Sequence, residues 1–378
     1  MRFLLWLCIL FISFGLLSGM STINSTETNN YSRVNLLPKD SIVVQTDSLI
    51  RKIAQTNHCR VISKISRPGL SNFYSGYDGR KGENITDFNG PIEIGSCTKM
   101  FTATSIMQLV EKEKLSLNTK LVDILPNDTL YKDLCLINGK DYIDSVRIFH
   151  LLNHSSGIPD YFIADNDEAE IALHGDSSLR FTPYHLITLA KKTNKPYFVP
   201  GTGFKYSNTN YILLGMIIEK LTGIDYRQYI QQNILDPLKM KHTFFASRNP
   251  PQNRAPGFLK GKITVMPATM AGAAGDIISN LDDMQIFIQA WYNGSLFSQK
   301  STMILVKNQY YQPMSGDMIK YGLGVINILE LSKGHAGQTF GFQFYAGCTS
   351  NGSSFIISMD DAAVSAWEPA IMFSGLLQ

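Results

Sequence analysis

The chain has 378 residues, of which 44% are hydrophobic and 17% charged, and its formal net charge is +3. This length and apolar content can build a sizeable core, as two domains or as one domain with a large insertion. The small net charge gives no reason to expect nucleic acid or an anionic membrane as a partner.

The N-terminal residues have the pattern of an export signal. Arg2 precedes an apolar run over residues 3–17, which has the length of a signal-peptide core and is short for a membrane span. We therefore expect a signal peptide over residues 1–21, cleaved near Ser21, with an uncleaved membrane anchor as the alternative. Residues 22–38 are rich in Asn, Thr and Ser and predict a disordered leader. The expected location is outside the cytoplasm, periplasmic or secreted.

Residues 39–114 predict a helix and a strand hairpin. Apolar residues recur at helical spacing over residues 41–54, and strand-like runs follow over residues 59–65 and 70–76. A short apolar run at residues 91–94 then leads into a second helix.

A serine and a lysine open this second helix, which we expect to continue to about Glu113. Ser96 falls in the first turn, where unpaired N–H groups and the helix dipole favour negative charge. Lys99 lies on the same face, so its amine can approach the Ser96 hydroxyl, as a Ser-Lys nucleophile requires. The same spacing also arises by chance, in which case Ser96 is only a helix cap.

Residues 115–265 carry mostly helical signals, interrupted by Pro and Gly loops, and predict a helical insertion. Helices are expected at residues 148–152, 183–192 and 210–221. The polar cluster at residues 150–157 contains two histidines and two serines. No Gly-x-Ser-x-Gly occurs in the chain, which excludes the α/β-hydrolase nucleophile elbow, so we interpret the cluster as a helix end and a turn.

Tyr206 and Asn208 are the candidate functional residues of the insertion. They follow a Pro-Gly-Thr-Gly loop at residues 200–203. The Tyr206 hydroxyl can take or relay a proton if a cationic neighbour lowers its reference pKa of about 10, and Asn208 can donate to a substrate carbonyl. An ordinary loop with a helix cap is the alternative.

The C-terminal part predicts a helix at residues 281–292 and then strands at residues 322–329, 341–347 and 355–359. The Ser-Asn-Gly at residues 350–352 is a strong hairpin signal.

Strands at both ends of the chain and helices between them predict an α+β fold. We expect an antiparallel sheet built from N- and C-terminal strands and flanked by helices, with a mostly helical domain inserted. Residues 39–114 and 266–378 would form the mixed α/β part and residues 115–265 the insertion. The helix that begins at Ser96 would then lie at the seam, where small-molecule clefts are common.

His335 and Gly337 lie in a glycine-rich segment between two strand signals. Glycines let the backbone of a strand approach a ligand closely, and a histidine can bind a carboxylate near neutral pH. A structural histidine is the alternative.

Cysteines and histidines give no sign of a disulfide scaffold or a metal site. After Cys8, the chain has Cys59, Cys97, Cys135 and Cys348, too few for a scaffold in a chain of this size. We expect Cys97 to be a buried thiol, and we hypothesise that Cys59 and Cys348 pair. The seven histidines lack metal-ligand spacing and no nucleotide-binding glycine motif follows a strand, so we expect no metal and no cofactor.

Taken together, these motifs resemble the serine beta-lactamase and penicillin-binding family, in its branch of class C beta-lactamases and D-alanyl-D-alanine carboxypeptidases. The resemblance extends from about Cys59 to Met359. The family's nucleophile segment, structural landmark, second motif and third motif are matched, in that order, by residues 94–103, 150–159, 206–208 and 335–337. Three motifs in order are far more specific than one Ser-x-x-Lys.

The resemblance implies a beta-lactamase/transpeptidase-like fold and a catalytic role for three side chains. Ser96 would attack an amide, lactam or ester carbonyl and form an acyl-enzyme. Lys99 and Tyr206 would share the general base and acid work. The backbone N–H groups of Ser96 and Gln338 would form the oxyanion hole.

The resemblance also implies substrate-binding roles. Asn208 would orient the acyl side chain, and His335 would help to bind a substrate carboxylate. Gly337 and Gln338 would complete the substrate-binding set. Class C beta-lactamases usually have Lys where this chain has His335, and His is more typical of the carboxypeptidase and esterase-like members.

We therefore expect an exported serine hydrolase, closest to a D-alanyl-D-alanine carboxypeptidase or a related peptidase or esterase. Its substrate would be a peptidoglycan peptide or a small amide or ester, with beta-lactams as covalent ligands. The alternatives are a class C-like beta-lactamase and a non-catalytic peptidoglycan-binding homologue.

Overall fold

The computed structural model describes residues 39–126, 129–162, 178–193, 195–248, 250–306, 310–315 and 318–378. The expected signal peptide and leader lie outside the described residues.

The helices of the described residues are α1 (Lys39–Asn57), α2 (Thr98–Glu111), α3 (Leu121–Ile124), α4 (Ile148–Leu152), α5 (Pro183–Thr193), α6 (Asn208–Thr222), α7 (Tyr226–Ile230), α8 (Asp236–Leu238), α9 (Leu281–Tyr292), α10 (Gln299–Val306) and α11 (Trp367–Leu376). Short 3₁₀ turns cover Gly95–Cys97, Ile143–Ser145 and Gly272–Ala274, and Gln231–Leu235 forms a π-helical turn. No helix in this part of the chain is long and apolar enough to span a bilayer.

The strands are β1 (Arg60–Arg67), β2 (Leu70–Asp78), β3 (Glu83–Asn84), β4 (Ile92–Glu93), β5 (Leu136–Ile137), β6 (Lys140–Asp141), β7 (Phe244–Phe245), β8 (Gly257–Leu259), β9 (Lys262–Thr264), β10 (Ile277–Ser279), β11 (Gln312–Ser315), β12 (Ile319–Tyr321), β13 (Ile326–Ile328), β14 (Ser332–Gln338), β15 (Gln343–Thr349) and β16 (Ser354–Met359).

Nine of these strands form one antiparallel sheet in the order β11-β12-β13-β14-β15-β16-β1-β2-β3. The N-terminal hairpin joins the C-terminal strands through β1 and β16, with Val61 opposite Met359 and Ser66 opposite Ser354. The sheet is thus built from both ends of the chain and is flanked by helices, which confirms the predicted α+β class.

Helices cover both faces of the central strands. The helix α9 contacts β1, β15 and β16. The helices α1 and α11 also contact the sheet, and they share a second apolar core with it through Ile42 and Phe373. Every residue of β16 is buried. Ile356 belongs to the larger apolar core on one face of the sheet, and Phe355 and Ile357 belong to the second core on the other face. This burial on both faces explains why β16 is a nearly continuous apolar run rather than an alternating one.

The helix α2 packs against α9, which covers the sheet, and against α6 and α7. Its residues are buried from Thr98 to Leu109, and Phe101 stacks on Phe287 of α9 with ring centroids 3.7 Å apart. The helix α6 packs against α2 and against α4 and α5. A helix enclosed on all sides holds its first turn firmly in place, and that turn carries Ser96.

The strand β14 differs from the sequence prediction, which placed its residues in a glycine-rich connection. A Cβ on Gly334 would lie 2.1 Å from the Ala346 carbonyl oxygen of the neighbouring strand, so the glycine permits close packing within the sheet. Glycine lowers the strand signal in the sequence, although here it is required by the strand packing.

The hypothesis that Cys59 and Cys348 pair is wrong, because both thiols are free and buried. Cys348 lies opposite Ser354, which in turn lies opposite Ser66, whereas Cys59 precedes β1 at its other end. Seven residues of strand separate Ser66 from Cys59, about 23 Å, whereas a disulfide needs Cα atoms within about 7 Å. Cys97 is a buried free thiol, as predicted.

Candidate active site

Ser96 lies in the 3₁₀ turn that leads directly into α2. Gly95 begins this turn with a φ of +50°, in the left-handed region that favours glycine. A Cβ on Gly95 would lie 2.6 Å from the carbonyl oxygen of Gln338 and 2.7 Å from its nitrogen. The turn is thus pressed against the end of β14, and Ser96 stays partly exposed between two buried neighbours.

Gly337 makes the same contact from the strand side. A Cβ on Gly337 would lie 1.9 Å from the Ile94 carbonyl oxygen and 3.2 Å from the Ser96 nitrogen. Only a residue without a side chain fits there, and this lets β14 reach the serine turn. The backbones of Ser96 and Gln338, which were expected to form an oxyanion hole, therefore lie on adjoining segments.

Lys99 is fully buried, and its Nζ has three hydrogen-bond partners. It lies 2.9 Å from Ser96 Oγ, 2.8 Å from Asn208 Oδ1 and 2.7 Å from the Ala274 carbonyl oxygen. Burial lowers the pKa of Lys99 to about 7, although the nearby charge of Asp160 works in the opposite direction. A substantial fraction of the amine is therefore neutral at neutral pH.

In this arrangement the neutral form of Lys99 can act as a general base toward Ser96. A neutral amine has two N–H donors and one lone pair. The carbonyl oxygen of Ala274 and Oδ1 of Asn208 can only accept, so they take both donors. The lone pair is left to face the Ser96 hydroxyl and can take its proton.

Tyr206 lies beside both residues. Its phenol hydrogen-bonds the Ser96 hydroxyl, and Nζ of Lys99 lies 5.0 Å from the centre of its ring. Burial raises the pKa of Tyr206 well above 10, so the phenol is neutral and can donate a proton. The role expected from the sequence needed a cationic neighbour to lower this pKa, and the structure has the opposite shift.

Asn208 begins α6 and connects Lys99 to a carboxylate. Its Oδ1 accepts from Lys99, and its Nδ2 donates to Oδ2 of Asp160 over 3.1 Å. This amide was expected to contact substrate, and in the structure it contacts these two side chains.

Asp160 is the site residue that sequence reasoning missed. It is buried, and its Oδ1 accepts from the backbone N–H groups of Asn208 and Phe162, each over 3.1 Å. Burial raises the pKa of Asp160 to about 6, partly offset by Lys99 and by these hydrogen bonds. The available signal was its position directly after the landmark segment at residues 150–159.

The polar cluster at residues 150–157 forms a helix end and a turn, and it also supports the start of α6. The N–H of Ser207 donates to Nδ1 of His154 over 3.2 Å, and Ser156 Oγ donates to Asn210 Oδ1 over 2.7 Å. The ring of His154 packs on Tyr206, with centroids 4.2 Å apart. These contacts position Tyr206 beside the serine.

His335 does not fit its expected role as a carboxylate-binding imidazolium. Its side chain is 1% exposed, and its Nε2 lies 2.8 Å from the Tyr321 hydroxyl. Burial lowers the pKa of His335 to about 3, so the ring is neutral at neutral pH. The ring of Tyr321 in turn packs against Tyr206, so His335 contacts the site indirectly, through Tyr321.

Across the described ranges, no cluster of three or more His, Cys, Asp or Glu side chains is arranged to bind a metal ion.

Comparison with known proteins gives consistent matches. The family model described as Beta-lactamase matches residues 66–354. Penicillin-binding protein 4* of Bacillus subtilis (strain 168) is 31% identical over 260 residues, which cover 62% of this chain and 52% of that protein. Protein flp of Staphylococcus aureus (strain MW2) is 34% identical over 157 residues, 42% of this chain and 28% of that protein. The chain thus spans about half or less of the length of these relatives.

Solved structures match over more of the chain. A D-stereospecific amidohydrolase from Streptomyces sp. has a TM-score of 0.72 and 24% identity, covering 87% of this chain and 98% of that one. The octameric penicillin-binding protein homologue from Pyrococcus abyssi has a TM-score of 0.69 and 25% identity, covering 89% and 76%. The D-amino acid amidase from Ochrobactrum anthropi SV3 has a TM-score of 0.68 and 23% identity, covering 83% and 93%. These neighbours share the fold.

Proposed function

The chain belongs to the beta-lactamase family of serine hydrolases, and we propose that it acts through an acyl-enzyme at Ser96. The observation that carries this proposal is the contact between Lys99 and Ser96, with both amine donors occupied by acceptors. A hydroxyl beside an amine whose lone pair faces it is an activated nucleophile.

The proposed reaction has two halves. In the first, Ser96 Oγ attacks the substrate carbonyl while Lys99 takes the hydroxyl proton. Backbone N–H groups of Ser96 and Gln338 stabilise the oxyanion, a contribution of about 10²–10³ in rate for a single donor. The bond to the leaving group breaks as the Tyr206 phenol gives the leaving group a proton and receives the one held by Lys99, so that both side chains are neutral again. In the second half, Lys99 takes a proton from the attacking water, the bond between the acyl group and Ser96 Oγ breaks, the acid is released, and the proton passes from Lys99 to Ser96.

We propose a peptide of the D-alanyl-D-alanine type, or a related amide or ester, as the substrate. The neutral Ser-Lys pair and the neutral phenol support acyl transfer to water from any of these. Beta-lactams would acylate the same serine.

An amidase that acts on a D-amino acid amide is a second candidate, and His335 is the observation that favours it. The leaving group of a D-Ala-D-Ala peptide carries a free carboxylate. The neutral, buried His335 offers no positive charge to bind it. The leaving group of a primary amide needs none. Two of the structural neighbours are a D-amino acid amidase and a D-stereospecific amidohydrolase.

A four-substrate panel tests these proposals. Wild type and Ser96→Ala would be assayed on a D-Ala-D-Ala peptide, a D-amino acid amide, a p-nitrophenyl ester and a chromogenic cephalosporin. We expect turnover of the ester and of at least one amide by the wild type, and none by Ser96→Ala. Release of D-Ala at background would exclude the carboxypeptidase, and fast cephalosporin turnover would favour the beta-lactamase.

The non-catalytic alternative makes a separate prediction. A peptidoglycan-binding homologue would bind muropeptide but would turn over no substrate of the panel, and Ser96→Ala would bind as well as the wild type.

A further inference from the structure

We propose that Asp160 is a positioning residue that fixes the amide of Asn208 and thereby holds Lys99 in its base-competent arrangement. This inference rests on the proposed function, because it concerns how Ser96 is activated. The carboxylate of Asp160 bonds Asn208, which in turn bonds Lys99, so Asp160 acts on the base through Asn208.

The first step is the orientation of the Asn208 amide. An asparagine side chain has a donor end and an acceptor end, and the hydrogen-bond network decides which faces which partner. An ionised carboxylate only accepts, so Asp160 requires Nδ2 of Asn208 to face it. The acceptor Oδ1 must then face Lys99.

The second step is the consequence for Lys99. With Oδ1 facing it, Nζ donates to Asn208 and to Ala274, and its lone pair points to Ser96. If the Asn208 amide turned over, Nδ2 would compete for that lone pair, and Ser96 would lose its proton acceptor. The carboxylate therefore selects the arrangement in which Lys99 is a base.

The third step concerns the backbone. Oδ1 of Asp160 also accepts from the N–H of Asn208, the first residue of α6, and from the N–H of Phe162. A carboxylate at the N-terminus of a helix is stabilised by the unpaired N–H groups there. Asp160 thus fixes the position of Asn208 as well as its orientation.

Asp160 is also a charged group that raises the pKa of Lys99. Five further titratable groups of the described residues lie near Lys99, and they are uncharged near pH 7, because burial raises the pKa of the thiol and the phenols and lowers that of the imidazoles: Cys97, Tyr206, Tyr211, His154 and His335. Removing the charge of Asp160 should therefore lower the pKa of Lys99, since that charge raises it.

The test compares Asp160→Asn with a matched control. Asp283→Asn is the control. Asp283 lies in the first turn of α9, is similarly buried, and accepts from the N–H of His242 and the hydroxyl of Thr243. The acylation rate constant would be measured from pH 5 to 9 with a p-nitrophenyl ester that has no titratable group.

We expect Asp160→Asn to acylate about 10- to 100-fold more slowly, with its acid limb moved to lower pH. Asp283→Asn should keep both the wild-type rate and the wild-type limb. A folded Asp160→Asn with a wild-type rate and an unchanged limb would overturn the inference while leaving the proposed function intact. Absence of acylation in the wild type would contradict both the inference and the proposed function.

Asp160→Glu keeps the charge and covers the case in which Asp160→Asn does not fold. Because its longer side chain displaces Asn208, we expect a slower acylation with the acid limb kept near the wild-type position. The positioning role would be contradicted if Asp160→Glu acylated at the wild-type rate. It would also be contradicted if the acid limb of Asp160→Glu moved to lower pH, as expected for Asp160→Asn.

Discussion

Gly337 and Ile94 approach each other so closely that a Cβ on Gly337 would lie 1.9 Å from the Ile94 carbonyl oxygen. This contact joins β14 to the turn that carries Ser96. It lies at the seam between the sheet and the helix α2, where the proposed oxyanion hole is formed. Because the space between the two backbones is too small for a methyl group, a substitution there tests how far the reaction depends on this alignment.

Gly337→Ala should lower the turnover number about 10²- to 10³-fold, since the added methyl group forces the two backbone segments apart. The matched control is Gly375→Ala in α11, where a Cβ would meet nothing within 4 Å. Steady-state kinetics with an ester substrate check the prediction. A folded Gly337→Ala with activity within tenfold of wild type would argue against an oxyanion hole at this contact.

The activity should rise with pH through an acid limb set by Lys99. Burial lowers the pKa of this amine to about 7, and only the neutral form can take the Ser96 proton. We therefore expect kcat/KM to increase from pH 5.5 and to level off above about pH 8. A profile that is flat, or that falls over this range, would contradict a neutral Lys99 as the base.

His335 should make the folded state lose stability in mild acid. Burial lowers its pKa to about 3 from an ordinary value of 6.5, so below pH 6.5 the unfolded chain binds a proton that the folded protein does not. The stability that neutral His335 contributes to the folded state is fully present above pH 6.5 and is lost as the pH falls toward 3.

In His335→Gln, the free energy of unfolding should decline less steeply between pH 6 and 4.5, by up to about 1.4 kcal/mol per pH unit. Urea titrations of wild type and variant measure this difference. His185→Gln serves as the control, because His185 is exposed. If the free energies of unfolding of wild type and His335→Gln changed with pH in parallel, His335 would take up its proton equally in the folded and unfolded states. That result would contradict a buried, neutral imidazole.

The four thiols of the described chain should all be free. Cys59, Cys97, Cys135 and Cys348 are buried, so a thiol reagent should react slowly with the native protein. After denaturation without reductant, all four should be alkylated, as peptide mass spectrometry can show. A disulfide-linked peptide containing Cys59 and Cys348 would contradict the register of the sheet.

Much of the fold follows from local pattern. The helix α9 was predicted with its observed bounds, Leu281–Tyr292, because its apolar spacing is regular. In the structure, Asn280 caps this helix by accepting from the N–H of Asp283. The strand β14 was not predicted, because its glycines are explained only by neighbouring strands and by the serine turn.

The sequence motifs pointed to several residues that the structure brings together, but they did not indicate Asp160 or the directions in which the side chains point. The motifs identified Ser96 and Lys99, and the structure places them in contact. The inward orientation of His335 depends on Tyr321, and the role of Asp160 arises only when α6 brings Asn208 beside it. Such contacts between distant residues have no periodic signal in a single sequence. Export through residues 1–21 stays a prediction.

The proposed mechanism requires a covalent bond at Ser96. Wild type and Ser96→Ala would each be incubated with a fluorescent penicillin and with a fluorophosphonate, and then analysed by intact mass and peptide mapping. We predict one adduct in the wild type, located on Ser96, and none in Ser96→Ala. A folded wild-type protein that takes up neither reagent, or that is modified at another residue, would contradict the proposed nucleophile.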